Sequence, residues 1–417
     1  MSDVQRTIEA VWRIESARLI AALARMTGDV GSAEDLAQDA LLAALESWPD
    51  GGIPDKPGAW LMTTAKRRAI DLARRRRMQD TKHVEVGADL RSREETAPDF
   101  DAAIDDHIGD DMLSLIFTAC HPVLGTEARA ALTLRLLGGL TTAEIARGFL
   151  VPEPTIAQRI VRAKRTLAAA RVPFEVPRGP ELRSRLGSVL EVIYLIFNEG
   201  YSATAGGDWT RPAVCDEATR LARVLAGLMP DESEVHGLVA LLELQSSRLH
   251  ARVTPAGEPI LLLDQDRGRW DRILIQRGLA ALARAESQAG ALGPYALQAS
   301  IAACHARARR AEDTDWTRIS ALYDALSQLV PTPVVELNRA VAYAMAFGPA
   351  AGLEIADALL EEPVMRRYHL LPAARGDFLQ KLGRFAEARR EFERAATLTG
   401  NDRERQLLLA RAAAVDS

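Results

Sequence analysis

Ile156, Ile160, Ala163 and Leu167 recur at i, i+4, i+7 and i+11 within "TIAQRIVRAKRTL". Only a helix gathers such positions onto one side. Thr155, Gln158, Arg159, Arg162 and Arg165 fall largely on the other side. Just upstream, "AEIARGFL" reads as a shorter helix that Thr141 or Thr142 can cap, and "VPEPT" reads as the turn between the two. Pro152 and Pro154 bracket that turn, and proline is well tolerated at an early helical position. A helix-turn-helix needs this arrangement, with an apolar stripe docked on its support and the polar N-terminal end free to reach base edges. Arg can pair with guanine, while Lys or Thr more often secures phosphate. An Arg-rich helix in an ordinary bundle would present the same stripe, so the pattern by itself does not decide between the two.

Charge placement adds the second observation. The whole chain carries a formal net charge of -5. Yet "WLMTTAKRRAIDLARRRRM", residues 60–78, holds seven Lys or Arg against one Asp, and residues 144–171 hold six against two acids. Residues 79–111 between them carry eleven acids and three bases, and "GADLRSREETAPDFDAAIDD" shows no helical periodicity. Residues 79–105 therefore read as an acidic linker between two basic blocks. Affinity for a phosphate backbone depends on local positive charge, because each neutralised phosphate releases counterions. The acidic total mainly suppresses non-specific association.

At 417 residues the chain has room for roughly three domains. Aromatics are 5 % of it, and Ala and Leu dominate, which favours helix over sheet. No apolar run reaches the ~18 residues of a membrane span, and no basic region followed by an apolar core opens the chain. Cys120, Cys215 and Cys304 lie far apart, and the seven histidines show no metal-ligand spacing. Packed or free thiols, no metal and no cofactor are expected. There is no P-loop and no GxGxxG.

Residues 1–78 contain three helical periods, broken at "TGDVGS" and "SWPDGGIPDKPG". Val11, Ile14, Leu19 and Leu23 mark the first stripe. Ser32 is expected to cap the second helix with Asp35 as its capping acid. Leu36, Ala40, Leu41, Leu45 and Trp48 form that helix's apolar stripe, and Asp35, Gln38, Asp39 and Glu46 its polar face. The third helix begins after Pro57 and runs from Trp60 to about Arg77. A second unit spans 106–172 and ends in the helix-turn-helix.

"GSAEDLAQDALLAAL", "PGAWLMTTAKRRAIDLARRRR" and the closing helix-turn-helix, in that order, closely resemble a bacterial sigma factor of the extracytoplasmic-function group, over roughly residues 1–172. The resemblance implies an all-α protein with a sigma-two-like domain at 1–78 and a sigma-four-like domain at 106–172. It implies two partners, core RNA polymerase (β′ clamp helices and β flap) and promoter DNA. Asp35, Gln38 and Asp39 would contact the clamp. Trp60, Thr63, Thr64, Lys66, Arg67, Arg68, Arg74 and Arg75, with the loop before them, would melt and read the −10 element, although Trp60 also suits the core. Arg67 stands where many relatives carry Asn. Glu153, Thr155, Gln158, Arg159, Arg162 and Arg165 would read the −35 element. The implied location is the cytoplasm, at the nucleoid and away from the membrane.

The chain then continues with an all-helical pattern at 180–417. "VVELNRAVAYAMAFGPAAGLEIADALL" can be laid over "YHLLPAARGDFLQKLGRFAEARREFERAA", with Gly348 on Gly383, Tyr343 on Phe378 and Ala351 on Ala386. The offset of 35 is close to the tetratricopeptide period of about 34 residues, near 334–398. With "YLIFNEGYSA" and "LYDAL…PTPVVELNRAVA", this tail resembles a sigma-factor subgroup with a C-terminal tetratricopeptide-like extension. That subgroup's extension implies a regulatory role and a protein partner. Glu199 in "FNEGY" and Asp264, Asp266 and Asp271 in "LLDQDRGRWDR" could mark a carboxylate site, but ion pairs and turn caps explain them more simply. A helix-turn-helix regulator that binds duplex DNA without replacing a sigma subunit is the alternative reading.

Overall fold

Helix is dictated almost everywhere by short apolar repeats in an Ala- and Leu-rich chain, and the computed structural model is all-α. It describes residues 3–82, 100–149, 151–201, 211–254, 258–288 and 290–415. Among them no strand forms, and the one pairing is an isolated bridge between Val253 and Pro259. No helix among the described residues is long and apolar enough to cross a membrane. The chain divides into two units, residues 1–192 and 193–417.

The first unit opens with α1 (Asp3–Thr27), α2 (Val30–Gly51) and α3 (Pro57–Lys82). Leu19, Ile20 and Leu23 of α1 are buried as a continuous stripe, whereas Ile14 is 68 % exposed and Val11 only half-buried. The α2 cap is not Ser32. Asp29 supplies it, accepting from the Ser32 amide at 2.7 Å. The buried face of α2 is correspondingly made of Val30, Ala33, Glu34, Leu36, Ala37, Ala40, Ala44 and Trp48. Leu45 lies outside. Small side chains let α1 and α2 approach closely, and α3 packs on both.

Then come α4 (Phe100–Ala119), α5 (Thr126–Leu136), α6 (Thr142–Phe149) and α7 (Glu153–Ala169). Helix α3 continues to Lys82 and α4 begins at Phe100, so the expected 79–105 linker is shorter at both ends, and its remaining stretch, 83–99, lies outside the described residues. Thr141 caps α6 reciprocally. Its hydroxyl accepts from the Glu144 amide, while the Glu144 carboxylate accepts from the Thr141 amide at 2.8 Å.

Helix α8 (Pro180–Tyr201) carries the division between the units, after Val192. Its first half belongs with α4 and α5. Arg185 donates to the Phe117 carbonyl at 2.7 Å, Ser188 to the Cys120 carbonyl at 2.6 Å, and Arg129 reaches Ser188 and Glu191.

The second unit continues with α9 (Pro212–Leu228), α10 (Ser233–Ser246), α11 (Arg272–Ser287), α12 (Pro294–Arg307) and α13 (Trp316–Leu329). It ends with α14 (Pro333–Phe347), α15 (Pro349–Ala358), α16 (Leu370–Lys381), α17 (Phe385–Leu398) and α18 (Asp402–Ala414). Helix α10 is buried on nearly every side, against α9, α11 and α12. Helix α12 packs chiefly on α10, and from α13 onward each helix packs chiefly on its neighbours in sequence. The two aligned segments become the hairpins α14–α15 and α16–α17, and the aligned glycines turn both with positive φ, 101° at Gly348 and 75° at Gly383. Phe378 is buried in the same core cluster as Phe392, and Tyr343 is half-buried.

Candidate nucleic-acid and polymerase interface

On α7 the apolar stripe is buried as its spacing requires, with Ile156, Ile160, Ala163 and Leu167 inside. Glu153, Gln158, Arg162 and Arg165 are exposed, and Thr155 and Arg159 are half-buried. Arg162 and Arg165 have no ion-pair or hydrogen-bond partner among the described residues, so two guanidinium groups stand uncompensated on one helix face. Arg159 is engaged, with Nη2 2.6 Å from Glu127 Oε2. Glu127 is largely exposed, and such a surface pair is worth only about 0–1 kcal/mol, little enough for a phosphate or base edge to displace.

On α3, Thr63 and Arg67 are exposed, and Thr64, Lys66 and Arg68 are half-buried. Arg67 has no partner among the described residues. Thr63 turns its hydroxyl back onto the Ala59 carbonyl at 2.9 Å. Trp60 is half-buried and meets the buried Trp48 ring edge-on, with centroids 5.4 Å apart. Its position is that of a seam residue between α2 and α3 with part of the ring left accessible. Arg74 and Arg75 lie on the helix, but their side chains are outside the described residues.

Asp35 and Asp39 project from α2 into solvent, with Gln38 half-buried between them. Gln38 donates to Glu34 Oε1 at 2.6 Å, and Asp39 lies 3.5 Å from Arg68 of α3. Each of the three carries a polar group at the surface of a rigid helix, a suitable base for a polar contact with another protein.

Glu34 was not anticipated. Its side chain is 3 % exposed, with Arg135 Nε of α5 2.6 Å from Oε1 and Lys164 Nζ of α7 2.5 Å from Oε2. Lys164 also lies 4.0 Å from Asp35. Burial alone would raise the Glu34 carboxyl, but the Lys164 and Arg135 cations outweigh it and hold it below the ordinary carboxylate range. Arg25 of α1 adds a further tie, 3.0 Å from Asp111 of α4. The signal for Glu34 was an acid inside an apolar stripe. Such a group needs a buried cation, but its source on α5 and α7 is a property of the tertiary fold.

Residues 13–78 match the model of sigma-70 region 2, and residues 114–167 match that of sigma-70 region 4. The ECF RNA polymerase sigma factor SigL of Mycobacterium tuberculosis is 32 % identical over 147 residues, covering 34 % of this chain and 76 % of SigL. The chain belongs to the extracytoplasmic-function group of the sigma-70 family.

The probable ECF RNA polymerase sigma factor SigI of the same organism is 29 % identical over 178 residues, 40 % of this chain and 57 % of SigI. An uncharacterized protein of Rhizobium meliloti is 44 % identical over 382 residues, covering 91 % of this chain and 89 % of that protein. Residues 185–286 match a family of unknown function (DUF6596). The region 2 match spans most of α1 to α3, and the region 4 match runs from α4 through α7. These two domains indicate a transcription factor rather than an enzyme, with a sigma-factor role.

Three of the four carboxylates considered for a catalytic site, all but Asp264, have structural roles. Glu199 pairs with Arg211 at 2.8 Å, Asp271 caps α11 and Asp266 caps the short turn at Arg267–Arg269. All three cysteines are buried free thiols. Burial raises Cys120 to about 11 and Cys215 to about 12, so both stay protonated.

Proposed function

We propose that this sigma factor binds core RNA polymerase through Asp35, Gln38 and Asp39, reads the −35 element as duplex with α7, and helps open the −10 element with α3. Polymerase performs the chemistry, at the nucleoid. The observation that carries the reading is the pair of uncompensated cationic faces, Arg162 with Arg165 and Arg67, on the two helices matched to regions 4 and 2. Duplex recognition needs guanidinium groups free to meet bases and phosphates. Strand opening needs a cationic surface along a single strand.

The helices from α13 onward, stacked on their sequence neighbours, support a tetratricopeptide-like tail that regulates the factor through a protein partner. The paired glycine turns at Gly348 and Gly383 support the repeat reading.

Transcription from a promoter library with core polymerase tests the proposal. The full chain is compared with residues 1–192, which retain the α8 half that hydrogen-bonds α4, and with Asp35→Ala/Asp39→Ala. Promoter-specific transcripts from the full chain, lost in the double variant together with core affinity, are the expected result. Duplex binding without core and without initiation would instead make the chain a conventional helix-turn-helix regulator.

A further inference from the structure

The second unit holds a partly open pocket of about 220 Å³ between α8, α10, α12 and α13. Its walls mix aliphatic side chains, among them Leu241, Leu244 and Ile301, with polar ones. Among the described residues no Asp or Glu lines it, and one guanidinium does, that of Arg248. Arg248 donates to Gln245 Oε1 at 2.5 Å, and it has no carboxylate partner among the described residues. The next guanidinium, Arg267, is buried on the carbonyls of His305 and Ala308 and on the Thr314 hydroxyl, and the Glu312 and Asp313 charges act on it without an ion-pair contact among the described residues.

Two further lining residues keep buried ring nitrogens without a hydrogen-bond partner among the described residues: Trp270 Nε1 and His305 Nδ1, on residues 4 % and 8 % exposed. An indole N–H can only donate. A buried donor left unmade costs about 1–3 kcal/mol, so such an atom calls for an acceptor. Burial first, then Arg248 and Arg267, push His305 down to about 3, so the ring stays neutral and the cavity's cation is Arg248. Tyr323 is pushed up to about 12 by burial and keeps its phenolic proton as another donor.

We propose that this cavity is a binding site for a small organic carboxylate, whose anion meets Arg248 and the Trp270 indole N–H while its apolar body packs on Leu241, Leu244 and Ile301. Water alone could fill the volume, but water supplies no counter-charge to the guanidinium. A planar carboxylate matches the guanidinium fork. The size points to a metabolite smaller than drug-sized ligands, whose pockets begin near ~300 Å³. The site is independent of the polymerase-binding reading, because binding is measured directly on the chain.

The experiment is calorimetric titration and thermal melting of the full chain with benzoate, phenylacetate and 3-methylbutanoate. Benzamide is the neutral counterpart and inorganic phosphate the competing anion. At least one carboxylate should bind saturably and raise the melting temperature of the second unit, with benzamide at least tenfold weaker. Arg248→Met should weaken that carboxylate at least tenfold. Trp270→Phe, which removes the N–H and keeps a ring, should weaken it several-fold and decides the matter if Arg248→Met does not fold. Absence of saturable binding by all three acids would overturn the site. So would equal binding of benzamide, an affinity indifferent to both substitutions, or a preference for phosphate over every carboxylate.

Discussion

Lys164 Nζ of α7 lies 2.5 Å from Glu34 Oε2 of α2, so the expected −35 reader helix is tied by a buried charge to the helix that carries Asp35. Arg135 closes the other side of the same carboxylate and also donates to the Leu140 carbonyl at 3.1 Å, at the turn leading into α6. One buried acid of region 2 thus meets two cations of region 4.

Removing that acid leaves two cations facing an apolar seam. Glu34→Ala should destabilise the first unit by about 1.5–3 kcal/mol, the range for hydrogen bonds to charged groups. Hydrogen exchange of the α2 and α7 amides in the full chain reads the loss separately from the second unit. Unchanged protection of both helices would mean the ion pairs add nothing.

The Glu34 carboxyl is held below its ordinary value of 4.5. Its contribution is therefore complete above that value and lost as pH falls through the lower folded value. Contacts between α2 and α7 should be unaffected from pH 8 to 5 and weaken as the pH falls below 4.5. In Glu34→Gln this acid limb should flatten, which exchange rates of α7 against pH would show.

His305 titrates in a different window. Its folded value is about 3 against an ordinary 6.5, so below 6.5 the unfolded chain takes up a proton that the folded one refuses. Stability of the second unit should fall as pH drops from 6.5 toward 3. His305→Phe should remove part of that slope in melting curves recorded between pH 7 and pH 5. An identical slope in both proteins would mean the ring protonates in place.

Arg159, Arg162 and Arg165 are separable by binding. Arg159→Ala should cost about 1–3 kcal/mol at one −35 base pair and relax preference there, if its guanidinium leaves Glu127 for a base. Arg165→Ala should weaken all −35 sequences alike and reduce the salt slope by about 1, the mark of a phosphate contact. Quantitative footprinting of the polymerase complex over −35 variants and salt concentrations distinguishes the two.

Within the tail, a Cβ at Gly352 of α15 would lie 2.5 Å from Ala344 Cβ and 2.6 Å from the Ala340 carbonyl of α14. Gly352→Ala must push the two helices apart, and overpacking of this kind costs about 1–3 kcal/mol. Urea unfolding should show the second unit weakened and the first unchanged.

The helix-turn-helix was readable because one helix's period sorts its own side chains. Ile156, Ile160, Ala163 and Leu167 needed only a support, and Thr141 needed only Glu144 three residues on. The stripes of α1 and α2 were read less well. Ile14 and Leu45 fit the period but lie outside, while Ala33, Ala37 and Ala44 are buried, because close helix approach selects small residues over larger apolar ones. Ser32 looked like the cap, yet Asp29 stands where the backbone leaves the helix.

Local sequence thus determined the helical class, the order of the two sigma-like regions and the cationic faces, since each depends on residues a few positions apart. Tertiary structure decided what those elements meet. Glu34 gained Arg135 and Lys164 from positions 101 and more residues away, half of α8 joined region 4, and Arg248 came to face a cavity without a carboxylate. Charge compensation and cavity shape are sums over distant chain segments, and no local period encodes them.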